Sequence, residues 1–135
     1  MSYTKEDKLK HLEFIQNIIT RMASNSFILK GWSITLTSAI IGFALTSSNS
    51  KLIYLAFVPT IVFWGLDAYY LRQEKLFREL YNAVTKNNKK IPSFSLNTDL
   101  IKDKVSNWFC VAWSINLLSV HLAIVLLIII VSNYV

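Results

Sequence analysis

Three glycines, two prolines and one cysteine are the whole supply of these residue types in a chain of 135. So few glycines leave no glycine-rich phosphate loop. A single cysteine, Cys110, excludes an intramolecular disulfide and a cysteine-based zinc site, and its place in an apolar run marks it as a packing residue. The two histidines, His11 and His121, are expected on opposite sides of a membrane interface, and neither has the neighbours of a metal site. No serine has a base at a motif spacing. No catalytic, cofactor-binding or metal-binding residues are therefore assigned, and the chain is expected not to be an enzyme. No cleaved signal peptide is expected, because the first apolar run begins near Phe27, after a long charged segment and without a small-x-small cleavage pattern. The first span should remain in the mature protein.

Hydrocarbon is what the chain has in abundance. Hydrophobic residues make up 53% of it and the mean hydropathy is +0.41, too apolar for an ordinary soluble domain of this length. The net charge of +6 invites a nucleic-acid reading, but the placement of the charges argues against it. Of 14 Lys and Arg residues, five lie in residues 1–30, one is Lys51, eight lie from Arg72 to Lys104, and none follows. Basic residues that flank apolar segments follow membrane topology. Trp32, Trp64, Tyr69, Tyr70, Trp108 and Trp113 fall near the predicted membrane boundaries, so an aromatic belt explains them better than base stacking. The lipid bilayer is the expected partner and nucleic acid is not.

The chain is organised around Leu52 to Val84. From Leu52 to Leu71 only Asp67 is ionisable, and about 20 apolar residues at 1.5 Å each cross a hydrocarbon core of roughly 30 Å. Past Leu71, Leu76, Phe77, Leu80 and Val84 form one apolar face, and Glu74 precedes Arg78 by four residues. The span 52–71 thus continues as a cytoplasmic helix to about 85. Pro59 inside it should kink the helix and free the Leu55 carbonyl.

Before this lie two helical segments. Residues 4–24 read as an amphipathic cytoplasmic helix, with Thr4 and Asp7 as a capping box and Leu9, Leu12, Ile15 and Ile19 on its apolar face. Its mixed-charge opposite face favours packing on another helix over lying in lipid. Residues 27–46 form the first membrane span, with Lys30 snorkelling to the headgroups at its start. Gly31 with Thr35, and Ser38 with Gly42, put small residues four apart, a face for close helix packing or for lining a pore. Residues 47–51 make a tight turn.

After a polar break at 86–92, residues 98–134 are predicted as one helix, capped near Asn97 or Thr98, with the third span at 108–131. The predicted fold is all-α: a single polytopic membrane domain of three transmembrane helices, an amphipathic N-terminal helix and cytoplasmic helical extensions. The charge distribution puts the N-terminus and residues 72–107 in the cytoplasm, and the 47–51 turn and the C-terminus outside. The N-terminal helix then runs antiparallel to the extension after Leu71, and the two bury their apolar faces together.

Polar residues in the spans are the candidates for function. Asp67 stands about 6 Å from the inner boundary and serves either as a structural hydrogen-bonding group or in an ion path. Asn107, Ser114 and His121 are seven apart, and Asn116 and Ser119 form a neighbouring stripe, for polar packing or for water, proton or ion passage. Estimated depths separate Asp67 from His121 by more than about 10 Å, so no direct pair is expected.

The segments FWGLDAYYLRQEKLFRELYNAV and LEFIQNIITRMASNSFILKGWSITL resemble those of small bacterial inner-membrane proteins, and the chain is broadly similar over residues 12–84 to the SLATT class. That class joins two adjacent membrane helices to cytoplasmic helices; the third span here departs from its plan. The resemblance implies a homo-oligomeric effector of an antiphage or conflict system that permeabilises the inner membrane when a cytoplasmic partner senses infection. The alternative is a non-conducting anchor or accessory subunit that recruits a soluble partner. A small transporter is a third possibility, disfavoured by few spans and no evident inverted repeat.

Overall fold

The computed structural model of the chain describes residues 4–47 and 49–134. Ser48, in the expected turn, and both extreme termini lie outside the described residues. Every regular element among them is helical. Three helices are long and apolar enough to cross a membrane.

Helix α1 spans Lys5–Thr46 without interruption, about 63 Å at 1.5 Å per residue. Its start is the expected capping box: the Asp7 amide donates to Thr4 Oγ1 at 3.1 Å, and the Thr4 amide donates to Asp7 Oδ2 at 3.0 Å. The sequence marks two helices here, 4–24 and 27–46, but the composition change between them contains no Gly or Pro. Ser24, Asn25 and Ser26 carry ordinary helical backbone, so nothing breaks the ladder. The inward positions His11, Ile15, Ile19, Met22, Ser26, Lys30, Ser33, Thr37, Ile41 and Ala44 follow a repeated spacing of four, four, three. That averages about 3.67 residues per turn, close enough to 3.6 to keep one face on a neighbour along the whole helix.

The neighbour is α2, Phe57–Thr85, which runs antiparallel to α1. A 3-10 segment at Ser50–Ala56 precedes it, with the Asn49 side chain accepting from the Lys51 amide. The 3-10 segment passes into α2 without a break, and Pro59, the third residue of α2, stands beside the junction where the backbone changes from 3-10 to α geometry. Its nitrogen has no hydrogen to donate to the Leu55 carbonyl one turn earlier.

The predicted helix over 98–134 is three pieces: a 3-10 segment at Thr98–Lys104, α3 at Trp108–Ala112 and α4 at Ile115–Tyr134. Asn107 starts α3 by accepting from the Cys110 amide at 3.0 Å, and Ser114 starts α4 with its carbonyl accepting from Leu117 and Leu118. Residues read as one polar stripe thus include two helix boundaries. Trp108 Nε1 donates to the Gly65 carbonyl at 3.2 Å, while Trp64 Nε1 donates to the Ala112 carbonyl at 2.9 Å. Both ends of α3 meet adjacent residues of α2, so α3 lies across α2 and adds little depth.

Three apolar clusters hold the fold. In the arm formed by the first half of α1 and the last turns of α2, Ile15 and Ile19 pack on Leu80, Ala83 and Val84 and on Ile101, with Leu12, Phe77, Tyr81 and Ile91 at the margin. Leu76 is buried on the same face. This is the expected antiparallel packing, except that Leu9 is 60% exposed and belongs to no cluster. Ala68, Ala112 and Leu117 make a small middle cluster. At the far end Ile41, Ala44, Ile53, Ala56, Ile124 and Ile128 close the bundle. Buried positions Leu117, His121, Ile124 and Ile128 form the single inward face of α4.

Candidate functional site: a buried carboxylate shared by three helices

Between the arm cluster and the far cluster the α1–α2 seam turns polar. Asp67 of α2 is fully buried, and the two other long helices, α1 and α4, supply its partners. Lys30 of α1 places Nζ 2.7 Å from Asp67 Oδ2 and donates to Ser26 Oγ at 2.8 Å. The Ser26 hydroxyl donates to Asp67 Oδ1. His121 of α4 lies with Nε2 3.1 Å from Asp67 Oδ2. An ionised carboxylate only accepts, so the shared proton of this bond sits on Nε2.

Helical spacing explains how α1 contributes twice. Ser26 and Lys30 are four apart and share a face, so one turn delivers both a hydroxyl and an ammonium to the carboxylate. Trp64, one turn before Asp67 on α2, lies nearly parallel to the His121 ring, with centroids 5.9 Å apart and planes 6° apart. The Trp113 indole meets Trp64 edge-on at 5.5 Å. The Trp64 indole hydrogen bond to Ala112 holds this plate in place.

The expectation that Asp67 and His121 stand too far apart in depth is overturned. It counted depth continuously from Trp108, whereas the crosswise α3 and the break at Trp113–Ser114 make α4 begin at Ile115, so His121 lies in its second turn. Lys30 does not reach to headgroups alone; its side chain keeps 21% exposure while its ammonium grips Asp67.

Other expected residues separate. Asn107 is exposed and caps α3. Asn116 and Ser119 are exposed on α4, away from the Asp67 centre. Ser114 Oγ is buried with no hydrogen-bond partner among the described residues. Gly31, Thr35, Ser38 and Gly42 do not pack within the chain; all four are exposed, and a Cβ added to either glycine would meet nothing within 4 Å. Close packing instead uses Ser26, Ser33 and Thr37, one step around the helix.

Sequence reasoning missed Ser26, Ser33, Thr37 and Thr60. Thr37 Oγ1 and Thr60 Oγ1 are 3.1 Å apart in a buried pair between α1 and α2. Their signal was present in the four, four, three spacing, which extends the arm's apolar face straight through these polar positions. Outside the centre, His11 Nε2 lies 2.8 Å from the Ser95 carbonyl and its ring meets Phe94, tying the loop after α2 to α1. Among the described residues no three His, Cys, Asp or Glu side chains come together as a metal site.

The arrangement is chemically a locked ion pair with an imidazole hydrogen-bonded to its carboxylate. Removing Lys30 or Asp67 alone leaves an uncompensated charge, at a cost of about 3–5 kcal/mol. Comparison of the chain with protein-family models, with curated proteins and with solved structures finds no match.

Proposed function

We propose that the chain is an oligomeric inner-membrane effector, serving antiphage defence, whose permeability changes on a signal from a cytoplasmic partner. The observation that carries this reading is the continuity of α1 and α2. Both run unbroken from the arm that packs Ile15 and Ile19 on Leu80 and Val84 to the Asp67 centre. A partner that shifts one arm helix against the other strains the Lys30–Asp67–His121 contacts directly, because helices transmit axial and rotational displacement along their length. The outward stripe of Gly31, Thr35, Ser38 and Gly42 supports association of copies through close helix contact. The placement of the basic residues supports a cytoplasmic N-terminus and arm, with the C-terminus outside.

Expression with the neighbouring genes, followed by a potential-sensitive dye, tests this. The reading expects the potential to collapse as growth arrests; arrest at full potential removes the permeability mechanism.

The second reading, a non-conducting anchor that recruits a soluble partner, is favoured by one observation. Asp67 and His121 are wholly enclosed within one chain. Asp67→Asn and His121→Leu should alter ion flux under the effector reading, whereas disruption of Leu76, Leu80 and Val84 should dominate if the chain only anchors.

A further inference from the structure

The inward face of α1 changes character along its length. From Ser26 through Lys30 and Ser33 to Thr37 every inward position is polar, and from Ile41 to Ala44 it is apolar. Across the seam, α2 answers in kind: Asp67 faces Ser26 and Lys30, Thr60 faces Thr37, and Ala56 and Ile53 join Ile41 and Ala44. The polar stretch covers about 16 Å of helix axis, from Ser26 to Thr37. At one end the partly exposed Lys30 connects it with the surface. At the other end, next to the turn after α1, stands the apolar cluster that includes Ile124 and Ile128 of α4.

Two buried groups on this path have no hydrogen-bond partner among the described residues, Ser33 Oγ and His121 Nδ1. A buried hydroxyl or imine nitrogen without a protein partner bonds water where space allows. Ser33 stands about 4.5 Å along the axis from Lys30 and about 6 Å from Thr37, so a continuous path needs a water bound to Ser33 Oγ on either side. Beyond it the Thr37 and Thr60 hydroxyls touch at 3.1 Å, which leaves no passage for a hydrated potassium or sodium ion. Thr60 Oγ1 donates to the Ala56 carbonyl at 2.8 Å, so Thr37 is the donor within the pair, and a proton moves on only when the Thr60 hydroxyl turns from that carbonyl toward the plug.

We propose that the α1–α2 seam is a proton half-channel within each copy of the chain, running from the Lys30–Asp67–His121 centre to Thr37–Thr60, and stopped by the apolar plug of Ile41, Ala44, Ile53, Ala56, Ile124 and Ile128. The titratable groups facing the centre are Asp67 from α2, Lys30 from α1 and His121 from α4. Transport needs no co-reactant: one proton enters at the centre, protons shift along the hydroxyls, and one leaves past the plug when it hydrates. This specifies the permeant ion for the effector reading and rests on that reading for its physiological use, while the pathway itself stands on the seam.

The test uses the full chain reconstituted in phosphatidylcholine–phosphatidylglycerol vesicles, with an internal pH dye and a parallel potassium-flux assay. Ile128→Ser and the smaller change Ala56→Ser hydrate the plug, and each should raise proton flux at least about tenfold, since apolar constrictions gate by excluding water. Potassium flux should stay at the native level. Adding Thr37→Val should return proton flux to native, and Thr37→Ser should keep it high. Monodispersity in detergent and thermal unfolding certify the fold of each variant. Equal potassium and proton leakage, persistence of the leak in Thr37→Val, or no leak from well-folded Ala56→Ser would each overturn the proposal. In cells, depolarisation that survives Thr37→Val would leave the effector reading standing and remove the seam. Native protein that never depolarises cells would remove the effector reading while the vesicle result still decides the seam.

Discussion

His121 Nε2 and Asp67 Oδ2 are 3.1 Å apart although 54 residues separate them and the contact joins α4 to α2. Both side chains are wholly buried. The contact sets the rotation of α4, because it brings the face of Leu117, Ile124 and Ile128 inward with the imidazole. Replacing His121 by Leu removes the donor to a buried carboxylate and should lower stability by about 1–3 kcal/mol. His121→Gln, which retains a donor, should lose less. Thermal unfolding in detergent, with Trp64 emission reporting the stacked ring, measures both.

The ion pair beside it should show coupling. Asp67→Leu alone strands the Lys30 ammonium, and Lys30→Met alone strands the carboxylate, each costing about 3–5 kcal/mol. The double variant, with neither charge, should be less destabilised than the sum of the two. A double-mutant cycle from unfolding midpoints checks this, and simple additivity would show the two groups to be independent.

In the arm, exposure separates strong from weak positions. Leu80 is fully buried against Ile15 and Ile19, so Leu80→Ala should cost about 2–5 kcal/mol and open the arm to protease. Leu9 is 60% exposed, and Leu9→Ala should stay within about 0.5 kcal/mol. Limited proteolysis of the intact protein in bilayers distinguishes the two variants.

Pro59 lies beside the junction of the 3-10 segment and α2, inside a continuous helical stretch from Lys51 to Thr85. Pro59→Ala supplies an amide within reach of the Leu55 carbonyl and should raise stability by up to about 3 kcal/mol. An unchanged unfolding midpoint would show that the junction is set by the packing of Ile53 and Ala56 instead.

At the start of α1, hydrogen bonds from the Thr4 hydroxyl and amide hold the Asp7 carboxyl below its ordinary value. The folded-state value is depressed, so the capping contribution is complete above the ordinary carboxylate range and is lost as pH falls through the folded value. Amide exchange in the first turn of α1 should therefore quicken on acidification. Asp7→Asn should make that exchange insensitive to pH beyond the intrinsic chemical rate.

Much of this architecture is legible in the residues. The capping box at Thr4 and Asp7, the extension of α2 past Leu71 and the packing of Ile15 and Ile19 on Leu80 and Val84 follow from local spacing alone. Tertiary geometry decides the rest. The crosswise turn of α3 depends on two indole hydrogen bonds to carbonyls some 43 and 48 residues away, which no periodicity encodes. Without it the depth of His121 is miscounted and its pairing with Asp67 is hidden. Lys30 deceives for a related reason: a lysine at a membrane boundary looks the same in sequence whether its ammonium meets water or a buried acid. The small residues Gly31, Thr35, Ser38 and Gly42 do form one face, but spacing cannot say which way that face points.

The most direct test of the account is a solid-state NMR measurement on the full chain in bilayers, with 13C in the Asp67 carboxyl and 15N in the Lys30 side chain and the His121 ring. The account predicts dipolar dephasing of the Asp67 carboxyl carbon by both Lys30 Nζ and His121 Nε2, as their 2.7 Å and 3.1 Å separations from Oδ2 require. A carboxyl carbon dephased by neither nitrogen would contradict the convergence of the three helices on Asp67.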